Sequence, residues 1–424
     1  MKKQLLLPLF FVFILNTIQA QEATKKEILM ETSNKLSLEA REKFSKAVLL
    51  AKQNGWPLKY QSNNQNNASL IGVDSKGWPK YYIGFADPVS AITINANKVW
   101  PGAASNLNLS GSDDAMTNKL GVWDEGSPRL THKEFQNRIT QKDNSTQVVT
   151  HSTHVAGIVM SKGLNPLSKG MSYNVKGILD YDWNNDLSEM SAAAANGLLF
   201  SNHSYGTVTG WNYNSDSSRW EFNGRWNEKE DYRFGIYDSD AQIQDSIAYN
   251  APNYLIVAAA GNNRTSAGPA VGQTYWRRNE PGRMINAGAR PSDISSNDSY
   301  GSISSDKNSK NILTVGAVNG IPSEYNKKED VVISNFSSWG PTDDGRIKPD
   351  IVAQGVAVYA PIATNDSSYG YLNGTSMASP GAAGSLMLLQ ELSQRFIVNG
   401  APKILKSATV KALAIHTANE AGIY

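Results

Sequence analysis

Four short stretches of this 424-residue chain carry side chains whose types and spacing could do chemistry. In Asn373-Gly374-Thr375-Ser376-Met377-Ala378-Ser379-Pro380, a Gly-Thr-Ser run leads into an alanine-rich helical pattern. A hydroxyl there lies at the positive end of a helix dipole, where a developing oxyanion is stabilised. An ordinary Ser/Thr N-cap is the other reading, and Ala378 rules out a Gly-x-Ser-x-Gly elbow. His151-Ser152-Thr153-His154 sets two of only five histidines three apart at the start of an apolar helix. The first could be a general base, or both could be structural; the spacing is not the His-Glu-x-x-His of zinc proteases. Leu120-Gly121-Val122-Trp123-Asp124 ends an apolar strand on a carboxylate, which can orient an imidazole or simply close a turn. Ile256-Val257-Ala258-Ala259-Ala260-Gly261-Asn262 breaks a buried strand at Gly-Asn, leaving either an amide donor for an oxyanion or a turn asparagine.

In this combination and chain order, Asp…His…Asn…Ser, the sequence resembles the subtilisin-like serine endopeptidases, the subtilases of peptidase family S8. The likeness runs from about Leu120 to the end of the chain. It takes in 336–350, which begins Phe336-Ser337-Ser338-Trp339-Gly340-Pro341, and Ser204-Tyr205-Gly206. The resemblance implies Ser376 as nucleophile, His151 as general base and then acid, and Asp124 as the group that holds His151 in the productive tautomer. Asn262 and the Ser376 N–H would form the oxyanion hole, and His154 would be structural. Ser204, Tyr205 and Gly206 on one side, and Ala259, Ala260 and Gly261 on the other, would flank an extended polypeptide substrate bound as an added strand. Tyr205 on the pocket wall tilts the expected preference toward apolar or aromatic residues.

Three positions depart from the family's habit. Ser152 stands where glycine is usual, Glu125 follows the acid where a small hydroxyl residue is common, and Trp123 is bulkier than the usual aliphatic. No cofactor is required for this chemistry. Structural calcium is common in the family, and Asp180, Asp182 and Asp186, with Asn184 and Asn185 between them, are weak candidates that lack EF-hand spacing. An acid peptidase of the related sedolisin type would need glutamate where His151 stands. An inactive scaffold of the same fold is the reading from a different class.

These side chains must be positioned by a framework, and the pattern supplies one. Short apolar runs at 120–123, 175–179, 198–201, 255–259, 312–318 and 331–333 alternate with helical patterns at 153–160, 186–197, 241–249 and 376–392. That alternation predicts an α/β fold, a mainly parallel sheet with helices on both faces and chemistry at the carboxyl ends of the strands. Polar insertions at 210–240 and 291–311 read as surface loops, the first rimming the cleft. Ahead of this domain, assigned to 111–424, residues 21–110 form a small α+β segment, either a pro-region or a packing extension. It holds an amphipathic stripe (Ala40, Phe44, Ala47, Val48, Ala51) stopped by Gly55, then a hairpin of 70–73 with 81–85. The last helical pattern, 407–421, ends three residues before the chain does, which reads as a fragment.

Composition narrows the job. Forty basic against 38 acidic residues leave a net charge of +2, so no nucleic-acid footprint is expected. There is no cysteine, which excludes thiol catalysis, disulfides and Cys-ligated metals. Lys2 and Lys3, the apolar 5–15 and Ala20 read as a signal peptide over 1–20, so the protein is expected to be exported, extracellular or periplasmic. Beyond it no apolar run reaches the ~20 residues of a membrane span.

Overall fold

The computed structural model describes residues 23–61, 67–84, 91–280, 282–297, 300–321 and 323–422. The proposed signal peptide therefore lies outside the described residues, as does Phe85. Helix α1 (Lys26–Asn54) is longer than its apolar stripe and ends where Gly55 takes the left-handed conformation, φ 69°. Its buried face is Leu29, Leu36, Ala47 and Ala51, whereas Phe44 and Val48 stay exposed. The stripe read from 40–51 thus lies partly on the wrong side, because the buried face is set by two neighbours: Leu29 packs on another helix, whereas Ala47 and Ala51 pack against Tyr60, Ala68 and Leu70. Strands β1 (Lys59–Gln61), β2 (Asn67–Val73) and β3 (Pro79–Gly84) follow as an antiparallel meander. The β2–β3 turn is set by Asp74, whose Oδ1 accepts from the N–H groups of Lys76 and Trp78, and by Gly77 at φ 82°.

The rest of the chain builds the frame of the site. In order come β4 (Leu120–Asp124), β5 (Ile139–Gln141), α2 (Thr150–Met160), β6 (Ile178–Asp182), α3 (Asp186–Ala195), β7 (Phe200–His203), β8 (Tyr205–Thr207), β9 (Trp211–Asn214), β10 (Arg219–Phe222), α4 (Ser239–Asn250), β11 (Leu255–Ala259), β12 (Thr274–Arg278), β13 (Met284–Ala289), β14 (Leu313–Val318), β15 (Ile351–Gln354), β16 (Val358–Pro361), β17 (Tyr369–Leu372), α5 (Thr375–Ser393) and, after a short two-stranded hairpin, α6 (Ser407–Thr417). Seven strands form one parallel sheet in the order β15-β14-β11-β7-β4-β6-β5. Alternate side chains serve opposite faces. Val122, Ile178, Val257 and Val315 pack with α2 and α5, while Trp123, Tyr181 and Ile256 pack with α3 and α4. The α/β architecture expected from the alternation is therefore the observed one.

Four local expectations fail. The strand expected at 175–179 runs three residues later, because Asp180 and Asp182 sit inside it where a polar residue reads as a stop. Residues 331–333 add no strand to the sheet: Ile333 makes a single antiparallel bridge to Val318, and β15 forms the edge instead. The insertion at 210–240 is not a surface loop. Its β9–β10 hairpin joins β12 and β13 in a second sheet, and Trp211 and Phe222 are both 1% exposed in a small core with Tyr275 and Ile294. The insertion at 291–311 is interior over its second half: residues 302–309 are buried, and Lys307 pairs with Asp306 at 3.1 Å. In both insertions, polar composition hides a few large or paired side chains that satisfy the burial.

Candidate functional site

The parallel sheet delivers Asp124, Ser204 and Asn262 to one end of its central strands, at or just beyond the carboxyl ends of β4, β7 and β11. Asp124 is fully buried. Its Oδ1 accepts from His151 Nδ1 at 2.6 Å, from the Glu125 N–H at 2.8 Å and from the Ser152 hydroxyl at 3.2 Å. His151 is the second residue of α2, so its ring leaves the helix mouth toward the strand end. His154, one turn on, sits in the interior with Nε2 against the Val358 carbonyl at 3.1 Å. Burial, reinforced by His151, lowers its pKa to about 3.

Ser376 is the second residue of α5 and is buried. Its hydroxyl donates to the Ser204 carbonyl at 2.6 Å, and the Ser204 hydroxyl donates back to the Ser376 carbonyl at 2.7 Å. This reciprocal pair ties the β7–β8 junction to the helix start. Asn202 continues the tie: its amide nitrogen donates to the Ser204 hydroxyl at 2.9 Å, and its oxygen accepts from Ser379 at 2.7 Å.

Asn262 follows Gly261, whose φ of 104° favours glycine and whose added Cβ would come within 3.1 Å of Ser338 Oγ. The 336–341 stretch is what packs there, with the Ser338 N–H on the Gly261 carbonyl at 2.8 Å. The Asn262 amide oxygen accepts from the Thr375 N–H (3.0 Å) and the Thr375 hydroxyl (2.9 Å), and the Gly261 N–H donates to that hydroxyl at 3.0 Å. With the oxygen pinned, the amide nitrogen is the group left to donate. Thr375, Ser152, Asn202 and Ser379 were not singled out from sequence as working parts. The Gly-Thr-Ser spacing pointed to Thr375, Ser152 stood out as a departure from the family's glycine, and nothing local marks the other two.

The outer edge of β8, which carries Tyr205 and Gly206 of the 204–206 stretch expected to flank substrate, is paired with the chain's own β3: Tyr82↔Thr207, Ile83↔Gly206 and Gly84↔Tyr205. Ala259 and Ala260 are buried at the end of β11. The three acidic metal candidates diverge. Asp180 is buried in β6, Asp182 Oδ1 caps Asn184, and Asp186 Oδ2 accepts from the Tyr205 hydroxyl at 2.8 Å and the Tyr82 hydroxyl at 3.2 Å. Among the described residues, no group of three or more His, Asp or Glu side chains is arranged to hold a metal ion.

A family model described as the subtilase family matches residues 109–423. The chain is 43% identical over 84 residues to a C5a peptidase of Streptococcus pyogenes serotype M3, covering 20% of this chain and 7% of that protein. It is 31% identical over 115 residues to the serine protease AprX of Bacillus subtilis, covering 24% of this chain and 26% of the relative. These matches span about a quarter or less of the curated relatives' length. Among solved structures, a cold-adapted subtilisin-like serine proteinase aligns at 16% identity and TM-score 0.42 over 71% of this chain and 82% of its own. The prenylagaramide maturation protease PagA aligns at 17% and 0.47, over 76% and 89%. With a family model covering most of the chain, including every residue gathered at the strand ends from Asp124 to Ser376, this protein belongs to the subtilase family of serine peptidases.

Proposed function

We propose that the chain is an exported serine endopeptidase that cleaves extended polypeptides through an acyl-enzyme. The observation that carries the reading is the 2.6 Å hydrogen bond from His151 Nδ1 to the buried carboxylate of Asp124. That bond fixes the tautomer in which Nε2 is the basic nitrogen of the ring, and the carboxylate stabilises the imidazolium when it forms. The Ser376 hydroxyl, resting on the Ser204 carbonyl, turns to Nε2. Its oxygen bonds to the substrate carbonyl carbon as its proton passes to His151. Asn262 Nδ2 and the Ser376 N–H receive the negative charge on the carbonyl oxygen. The C–N bond then breaks, and the leaving amine takes the proton from His151. Water repeats the sequence in reverse to release the acid and restore Ser376. In subtilisin, the asparagine donor is worth about 10²–10³ in turnover.

We read residues 21–110 as a pro-region, supported by β3 lying on the edge that a substrate strand would use. The leading 1–20 is read as the signal peptide, so N-terminal sequencing of the exported protein should begin no earlier than Gln21.

Purified protein freed of residues 21–110 should hydrolyse denatured casein at neutral to alkaline pH, and an organophosphonate should label Ser376. Ser376→Ala should abolish both. Labelling at another residue, or hydrolysis unchanged in that variant, would falsify the assignment. A folded, unlabelled wild-type chain would point to the inactive scaffold instead.

A further inference from the structure

The hydroxyl of Ser152 is fully buried and donates to Asp124 Oδ1 at 3.2 Å. The same oxygen already takes the imidazole and the Glu125 N–H, whereas Asp124 Oδ2, also buried, has no hydrogen-bond partner among the described residues. A serine in the first turn of a helix has an easy alternative, the carbonyl one turn back. Its neighbour Thr153 takes that choice, donating to the Val149 carbonyl at 2.7 Å. Ser152 instead spends its proton on the carboxylate. The N–H after the acid comes with any residue at 125, but the hydroxyl is specific to serine at 152. It stands where the family usually has glycine, while the residue after the acid, Glu125, lacks the small hydroxyl common there.

We propose that Ser152 is a positioning residue for the Asp124–His151 pair, fixing the rotation of the carboxylate so that Oδ1 faces Nδ1 and drawing part of its charge away from the imidazole. The inference rests on the roles given above to Asp124 and His151. A donor on the carboxylate weakens its hold on the imidazolium, and removing it strengthens that hold. Other ionisable groups around the pair are Glu125 next in the chain, His154 one turn along α2, and Asp180 and Asp182 on β6. Asp182 is in register with Asp124. Burial, and then the charge of Asp124, pushes the Asp180 carboxyl well above its usual range. All of these remain in the variants below.

The test compares pH–rate profiles of the purified protein expressed as the full chain, as wild type and as Ser152→Ala and Ser152→Gly. Thermal midpoints confirm that each variant is folded. Loss of the hydroxyl should lower kcat roughly ten-fold. It should also move the acid limb of kcat/KM to higher pH by roughly half a unit. The low-field Nδ1 proton resonance should titrate with the same displacement. Ser152→Cys, close in shape but a weak donor, should fall between, and it carries the test alone should the other two not fold. An unmoved acid limb overturns the proposal even if kcat falls, since that pattern marks a merely structural serine. Absence of Ser376 labelling in the wild type would instead overturn the active-site assignment itself, and this inference with it.

Discussion

Asn262 can offer nitrogen rather than oxygen to an oxyanion because Thr375 occupies the oxygen from two sides. Thr375→Val keeps the shape and the backbone donor but removes the hydroxyl, which also strands the Gly261 N–H. We expect kcat to fall about ten-fold with little change in KM, the mark of an interaction made mainly in the transition state. Thr375→Ser should retain most of the activity, and steady-state kinetics on a peptide amide would decide. At this scale the sequence was partly readable. Asp124, His151, Asn262 and Ser376 could be picked out because each ends or begins an element with a residue type suited to the chemistry. Thr375 and Asn202 could not, because threonine and asparagine are common and their partners are far off in the chain: Thr375 meets Asn262 across 113 positions and Ser379 meets Asn202 across 177.

The elements show the same division. The strands at 120–124, 255–259 and 313–318 are apolar but for Asp124 and Thr314 and easily read, whereas Asp180 and Asp182 disguised β6. Trp211 and Phe222 were hidden among Asn, Asp and Ser in a stretch that looked like solvent-facing chain. What holds β3 in place is also invisible without structure. Lys80 is paired with Asp240, and the Tyr82 hydroxyl reaches Asp186, both across more than 100 positions. Burial pushes the Asp240 carboxyl up, but the Lys80 ammonium outweighs it and holds the group below its usual range. Lys80→Met would leave that carboxylate buried without its cation, a loss of about 3–5 kcal/mol for a pair of this kind. The expected outcome is faster trimming of residues 23–84 by added trypsin and, if that segment is a pro-region, earlier onset of casein hydrolysis. Equal trimming rates in wild type and variant would refute this role for the pair.

For the whole molecule, two buried histidines contribute to the acid side of the stability curve. His154 titrates near 3 in the folded state because burial, then His151, disfavours its charge, whereas an unfolded histidine titrates near about 6.5. Its folded pKa is depressed, so its stabilising effect is complete above about pH 6.5 and declines as pH falls toward 3, at no more than about 1.4 kcal/mol per pH unit. His203 acts in the same direction, lowered first by burial and then by the Lys307 charge. Urea midpoints should therefore drop between about pH 6.5 and 5, and His154→Asn should flatten that slope. An equally steep decline in the variant would assign the effect to other groups. With no cysteine in the chain, the midpoints should not respond to reductant.

The attachment of the leading segment has a last consequence. Helix α1 lies along α3, with the Ser188 and Ser191 hydroxyls on its Ser33 and Leu29 carbonyls, and β3 shares a ladder with β8. Among the described residues, that seam is held by side-chain and ladder contacts and not by the peptide bonds that join Gly84 to Leu120. A molecule nicked anywhere in that stretch would still sediment as a single particle, and the break would become visible only as two bands once detergent pulled the halves apart.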